Sequence, residues 1–216
     1  MNVVWNFIQA GGWVNYLLLV ISIVGVAIII HRFYHLTRAT TNERKLLDKA
    51  KSFWVQGNAT ALELLFEETP GPVSRILASA FQLRNLGREE ILEGVKETAI
   101  TEIQRMNWGL PVLSTLVSVS LLLGLLGTIL GLMRIYNVIA GGRIGDPEAL
   151  AGGIALALTT TAFGLMIAIP FLIFHSILVQ KVEGLTAAME RSLHELLNYI
   201  KLEEKISEKK VQPWGS

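Results

Sequence analysis

GGIALALTTTAFGLMIAIP, residues 152–170, sits inside a run from 149 to 180 that contains no Asp, Glu, Lys or Arg. About 20 apolar residues of helix cross a bilayer core of about 30 Å, so the run is long enough to span a membrane. Gly153, Ala157, Thr161, Gly164 and Ala168 recur at steps of three or four, which places them on one helix face. Small residues let a neighbouring backbone come close, and threonine hydroxyls bond to their own helix, to a neighbour or to trapped water. The face around Thr159, Thr160 and Thr161 is therefore built to be packed against or wetted. Pro170 lacks an amide donor and frees the carbonyl of Met166, so a kink is expected there.

The same design occurs earlier in the chain. A second apolar run, 110–133, opens with Pro111 beside Leu110 and stops at Arg134; its GLLGTILGL core aligns Gly124, Thr128 and Gly131, with Ser120 one turn before. No charged residue precedes His31, and 13–30 reads as a first membrane helix with Trp5, Trp13 and Tyr16 at one interface. A signal peptide wants positive charge before its apolar run, whereas here Arg32, Arg38, Arg44 and Lys45 follow it.

Between these runs the chain is polar and helix-forming. Asn58 caps a helix after Gly57, Pro72 starts another, and 88–105 puts Ile91, Val95 and Ala99 on one face. Residues 137–148 read as a short loop with a turn at Gly141 and Gly142 and a helix start at Asp146 and Pro147. Beyond 180, Leu185, Met189, Leu193, Leu196 and Ile200 keep helical spacing, and from Ser207 the chain reads as a disordered tail.

The expected fold class is an all-α membrane protein: three transmembrane helices and a helical cytoplasmic domain formed by the first loop and long helix extensions. Its parts are an N-terminal segment with the first transmembrane helix (1–30), the helical cytoplasmic domain (31–107) and the second transmembrane helix (108–136). A periplasmic loop (137–148), the third transmembrane helix (149–180) and a cytoplasmic helix with its tail (181–216) complete the chain. Of 19 lysines and arginines only Arg134 and Arg143 fall between the second and third helices. The positive-inside rule then sets the N-terminus outside and the C-terminus in the cytoplasm.

Composition narrows the function classes. With 51% hydrophobic and 17% charged residues and a net charge of +1, the chain fits a polytopic membrane protein and gives no support for nucleic-acid binding. The absence of cysteine excludes disulfides and thiolate chemistry. His31, His35, His175 and His194 form no metal motif, and His31 with His35 reads as interfacial; no cofactor, metal or catalytic residue is expected. The glycines of GLLGTILGL lack the lysine of a phosphate loop.

GLLGTILGL in the second helix, DPEALAGGIALALTTTAFGLMIAIP (146–170) in the third and a first helix ending before HRFYHL (31–36) resemble the MotA/TolQ/ExbB proton channel family, over nearly the whole chain. Three helices with the large loop after the first are similar to the ExbB and TolQ branch. The resemblance implies a subunit of a proton-motive-force-driven motor complex in the bacterial inner membrane, a pentamer around a single-helix ExbD/TolR-like partner that carries a membrane aspartate. A TonB/TolA-like third component and membrane lipids complete the implied partners. Carried over by motif position, Thr128 and Thr161, with Thr160 and Thr159 beside them, are the pore-lining residues and the proton pathway. Gly124, Gly131, Gly153, Ala157, Gly164 and Ala168 pack the helices. Family members of this branch often carry glutamate in a GIAEAL context, where this chain has GIALAL with Leu156. The alternatives are a non-conducting oligomeric membrane scaffold and a flagellar-type or gliding stator subunit.

Overall fold

A computed structural model describes residues 11–39, 43–142 and 146–211. Among the described residues the chain is all helix: α1 Gly12–Ala39, α2 Glu43–Val55, α3 Ala59–Glu68, α4 Pro72–Gln82, α5 Arg88–Asn107, α6 Leu110–Ala140 and α7 Pro147–Val211. Three helical stretches, Gly12–Ala39, Arg88–Ala140 and Pro147–Lys201, are long and apolar enough to cross a membrane. In the second, the apolar part follows Gly109, whose φ of 79° places it in the left-handed region and ends α5 before α6 begins. The protein is thus a multi-pass membrane protein. Trp5 lies outside the described residues.

Local signals act where the sequence places them. Gly57 has φ 68°, and the Asn58 side chain accepts from the Ala61 amide at 3.1 Å. Pro72 is the first residue of α4, and the Asp146 carboxylate accepts from the Ala149 amide at 3.1 Å just before Pro147 opens α7. Helix α1 continues through Ala39, past 30, and two later boundaries also move outward from the sequence reading. Helix α6 continues through Ala140, past 136, before Gly141 and Gly142 turn the chain, because nothing in 137–140 breaks a helix. Helix α7 continues through Val211, past Ser207; the lysines and glutamates there are good helix formers.

The chain divides into two units. The first takes the described residues up to Phe33 together with Gly109–Leu178. In it α1 buries a stripe of Val14, Asn15, Leu18, Gly25, Ile29 and Arg32. Gly25 makes room for the ring of Phe171, which any Cβ at that position would overlap. The opposite faces of α1, α6 and α7 expose apolar side chains such as Ile23, Leu122 and Leu172, as a surface bathed in lipid or covered by neighbouring subunits requires.

The second unit comprises Tyr34–Trp108 and the chain from Val179 onward. It has its own core: Leu62, Phe66, Ile76, Leu77, Ile91 and Val95 are at most 2% exposed. Trp54 and Phe66 both meet the Phe81 ring edge to face, with centroids 5.5 and 6.2 Å away. The Ser74 hydroxyl donates to the Phe66 carbonyl, tying α3 to α4. Lys51 of α2 pairs with Glu195 of α7, which holds the ammonium above its ordinary pKa, and Lys181 donates to the Thr37 hydroxyl at 3.0 Å. Leu77 has no exposed surface, so Leu77→Ala should cost about 2–5 kcal/mol. Leu86, 44% exposed, should cost under about 0.5 kcal/mol on the same truncation. Thermal unfolding of the purified protein compares the two.

Candidate functional site

Helices α6 and α7 run antiparallel in the first unit and meet at glycine after glycine. A Cβ at Gly164 would stand 2.6 Å from the Ser120 carbonyl oxygen and 3.1 Å from the Gly124 Cα. One at Gly131 would stand 2.6 Å from the Gly153 carbonyl oxygen and 2.8 Å from the Ala157 Cβ. One at Gly124 would touch the Thr160 carbonyl oxygen and the Thr161 Cα, both at 3.3 Å. These approaches, nearly all to backbone atoms, are available only because each glycine lacks a side chain.

The small-residue row therefore packs against its own chain. Gly124, Gly131, Gly153, Gly164 and Ala168 are buried and Ala157 half-buried, and all but Ala168 are part of the seam described above. The seam also includes Ser120 and Gly127, both buried; Gly127 is missing from the row read off the sequence. With Gly124 and Gly131 they form the series 120, 124, 127, 131, the four-and-three spacing of a helix–helix stripe. That spacing was the available signal.

The three consecutive threonines do different things, because successive residues on a helix point about 100° apart. Thr160 is fully buried and fills the notch left by Gly127. Its hydroxyl donates within its own helix, to the carbonyls of Leu156 at 2.8 Å and Ala157 at 3.1 Å. Thr161 is half-buried, and its one proton lies between two carbonyls at 3.1 Å, that of Ala157 in its own helix and that of Gly124 across the seam. Thr159 turns away from the seam, half-buried, and donates to the Ala155 carbonyl at 2.6 Å. Thr128, also half-buried, donates to the Leu125 carbonyl at 2.6 Å. So Thr128, Thr159 and Thr161 keep part of their surface open, while Thr160 is a packing residue inside the chain.

Pro170 lies within α7 without ending it, and its neighbour Phe171 fills the notch at Gly25. A further polar residue escaped the sequence reading. Asn15 is fully buried in α1, and Gly11 one turn earlier leaves the space its carboxamide takes. An amide inside an uncharged membrane run was the signal for it. Among the described residues no cluster of His, Cys, Asp or Glu could hold a metal ion.

A seam of backbone contacts, with hydroxyls at its edges and no charge within it, can guide a proton or another helix but cannot itself titrate. Residues 68–191 match the MotA/TolQ/ExbB proton channel family. The chain is 30% identical to the biopolymer transport protein ExbB-like 3 of Synechocystis sp. over 87% of its own length and 95% of that protein's. It is also 30% identical to the Tol-Pal system protein TolQ of Haemophilus influenzae, over 78% of its length and 79% of that protein's. An ExbB homolog of Methanothermobacter thermautotrophicus matches at 30% over 83% of the chain and is spanned for 64% of its own length.

The glycine contacts separate seam positions from open ones. Gly164→Val and Gly131→Val push a side chain into backbone and should each destabilise the protein by about 1–3 kcal/mol or more. Gly152 has nothing within 4 Å of an added Cβ, so Gly152→Val should leave the melting temperature within a degree or two of wild type.

Proposed function

The chain belongs to the MotA/TolQ/ExbB proton channel family, and from that membership we propose that it is the ring-forming subunit of an ExbB/TolQ-like motor complex that couples proton flow to movement of a partner. Membership makes it a transport protein rather than an enzyme. Five copies enclose the transmembrane helices of an ExbD/TolR-like partner, each partner chain contributing one, and the partner's movement passes energy to the cell envelope. The complex lies in the bacterial inner membrane with the loop after α6 outside and the second unit in the cytoplasm, as the asymmetry of lysine and arginine supports.

One observation carries the reading. Residues 110–133 and 149–180 contain threonines but no Asp, Glu, Lys or Arg, and position 156, where family members often have an acid, is leucine. A proton path needs a group that gains and loses the proton. That group comes from the partner's membrane carboxylate.

Hydroxyl chemistry supplies the rest. Thr128, Thr159 and Thr161 each donate their proton to a carbonyl, which leaves oxygen lone pairs to accept from a visiting group. An acceptor stabilises the protonated carboxyl and not the carboxylate, and burial acts in the same direction. Both raise the partner acid's pKa toward neutrality, so it holds its proton in the threonine site and releases it where water enters.

That every one of these hydroxyls is already bonded within the chain favours a second reading, a non-conducting scaffold in which threonines only pack helices. Valine keeps threonine's shape and removes the oxygen. Losing one hydrogen bond of about 1.4 kcal/mol corresponds to roughly tenfold. Thr128→Val and Thr161→Val should therefore lower proton uptake into vesicles holding the chain with its partner by roughly tenfold while the oligomer mass stays unchanged; Thr160→Val should change it little. Conduction by this chain alone would refute the partner's role, and unchanged flux in both valine variants would leave the scaffold reading standing. Orientation has its own check in this cysteine-free chain: Ala140→Cys should react with an impermeant maleimide added outside intact spheroplasts and not with one added to inverted vesicles.

A further inference from the structure

We propose that a cleft in the second unit, walled by Phe53 and Trp54 and headed by Arg84, binds a small organic monoanion: a carboxylate carried on a flat, two-ring apolar body. The cleft has a volume of about 390 Å³, within the range of pockets that bury a small molecule. A single benzene ring needs only roughly 150 Å³, so there is room for a second ring and a polar head. Helix α2 ends at Val55, Gly57 turns the chain with a φ of 68°, and Asn58 caps α3. Phe53 and Trp54 line the cleft before that turn and Asn58 after it, while Leu62 and Ile200 add aliphatic surface. Trp54 meets Phe81 edge to face with the rings at 78°. Both Phe53 and Trp54 are half-buried, so aromatic surface remains on which a flat guest stacks.

Arg84 sets the charge of the guest. Its guanidinium lies 4.1 Å from the Phe81 ring centroid, and its Nη1 donates to the Phe81 carbonyl at 3.0 Å. A ring face and a neutral carbonyl hold the cation in place without neutralising it. Among the described residues no carboxylate pairs with Arg84, and no Asp or Glu lines the cleft. Four of the five guanidinium N–H groups are left for a planar anion. Asn58 accepts the Ala61 amide through Oδ1, which leaves its own amide N–H groups to donate. One fixed positive charge complements one negative charge, which favours a carboxylate over a phosphate dianion.

Fluorine NMR of fluoronaphthoate tests the site on the full chain in phosphatidylcholine nanodiscs, with empty discs as the blank. Saturable binding is expected, with a Kd on the order of 1 mM or tighter for a ligand of this size. Fluoronaphthamide, which keeps the rings and loses the charge, should bind about tenfold more weakly, the worth of one charge-assisted hydrogen bond. Arg84→Gln should weaken the naphthoate about tenfold and the amide little. Ala59→Trp, at an exposed position lining the cleft, should block both probes. Arg88→Gln, at the exposed start of α5, should change neither. Equal affinity for the two probes removes the role of charge, and an equal loss in Arg88→Gln reduces it to diffuse attraction. Unchanged binding in Ala59→Trp puts the ligand elsewhere; each of these overturns the proposal, as does no binding. Should binding then emerge only when Glu203→Gln and Glu204→Gln are combined, an acid three or four residues after Ile200 is the arginine's true partner. If Arg84→Gln fails to fold, the comparison of the two probes on the unaltered chain decides the matter.

Discussion

Backbone-to-backbone contact between α6 and α7, made where Gly164 faces Ser120 and Gly131 faces Gly153, is the constraint from which the membrane unit follows. In lipid, helices gain nothing from hiding apolar surface, since the tails are as apolar as leucine. Association has to come from dispersion at close range and from hydrogen bonds. Each missing Cβ lets two helices approach until carbonyl oxygens and Cα atoms touch. The bond from Thr161 to the Gly124 carbonyl, 3.1 Å long, exists only at that separation. Leucines that would form a core in water are instead displayed outward.

This arrangement also explains why the α6–α7 seam itself holds no titrating group. An acid within the seam would be desolvated on every side, with no room for water or a counter-charge between touching backbones. Hydroxyls are cheaper there, because each can return its proton to a carbonyl of its own helix, as Thr128, Thr159 and Thr160 do. What they offer to a visitor is the remaining oxygen lone pair. The seam is thus a rigid neutral wall, and the proposed function assigns the titrating group to a partner.

The second unit obeys the rules of water. Leu77, Ile91 and Val95 are buried together with aromatic contacts around Phe81, and its described charged side chains stay at least partly exposed. Glu102 is the exception, buried among residues that otherwise carry no charge. Arg75 and Arg105 each donate to one of its oxygens, at 2.6 and 2.9 Å, and stand at the surface, so a core requirement is met from the surface by one triad.

Much of this was legible in the chain itself. Uncharged runs long enough to span a bilayer, caps at Asn58 and Asp146, helix starts at Pro72 and Pro147, and the small-residue row of α7 are local facts, set by hydrophobic length and backbone chemistry over a few residues. Which neighbour the small-residue face meets was not local. The row 153, 157, 161, 164, 168 specifies a face with room on it, and only the tertiary structure decides that the room is taken by α6 of the same chain. For the same reason the three threonines, equivalent as letters, separate into a buried Thr160, a bridging Thr161 and an outward Thr159: helical rotation of about 100° per residue gives each a different neighbour. The roles of Gly127 and of Asn15, and the joining of Arg75 to Arg105 through Glu102, depend on side chains brought together from distant parts of the chain. Sequence determined which segments are helical, where their caps and prolines start them and which faces carry small residues, and packing alone determined what each face touches.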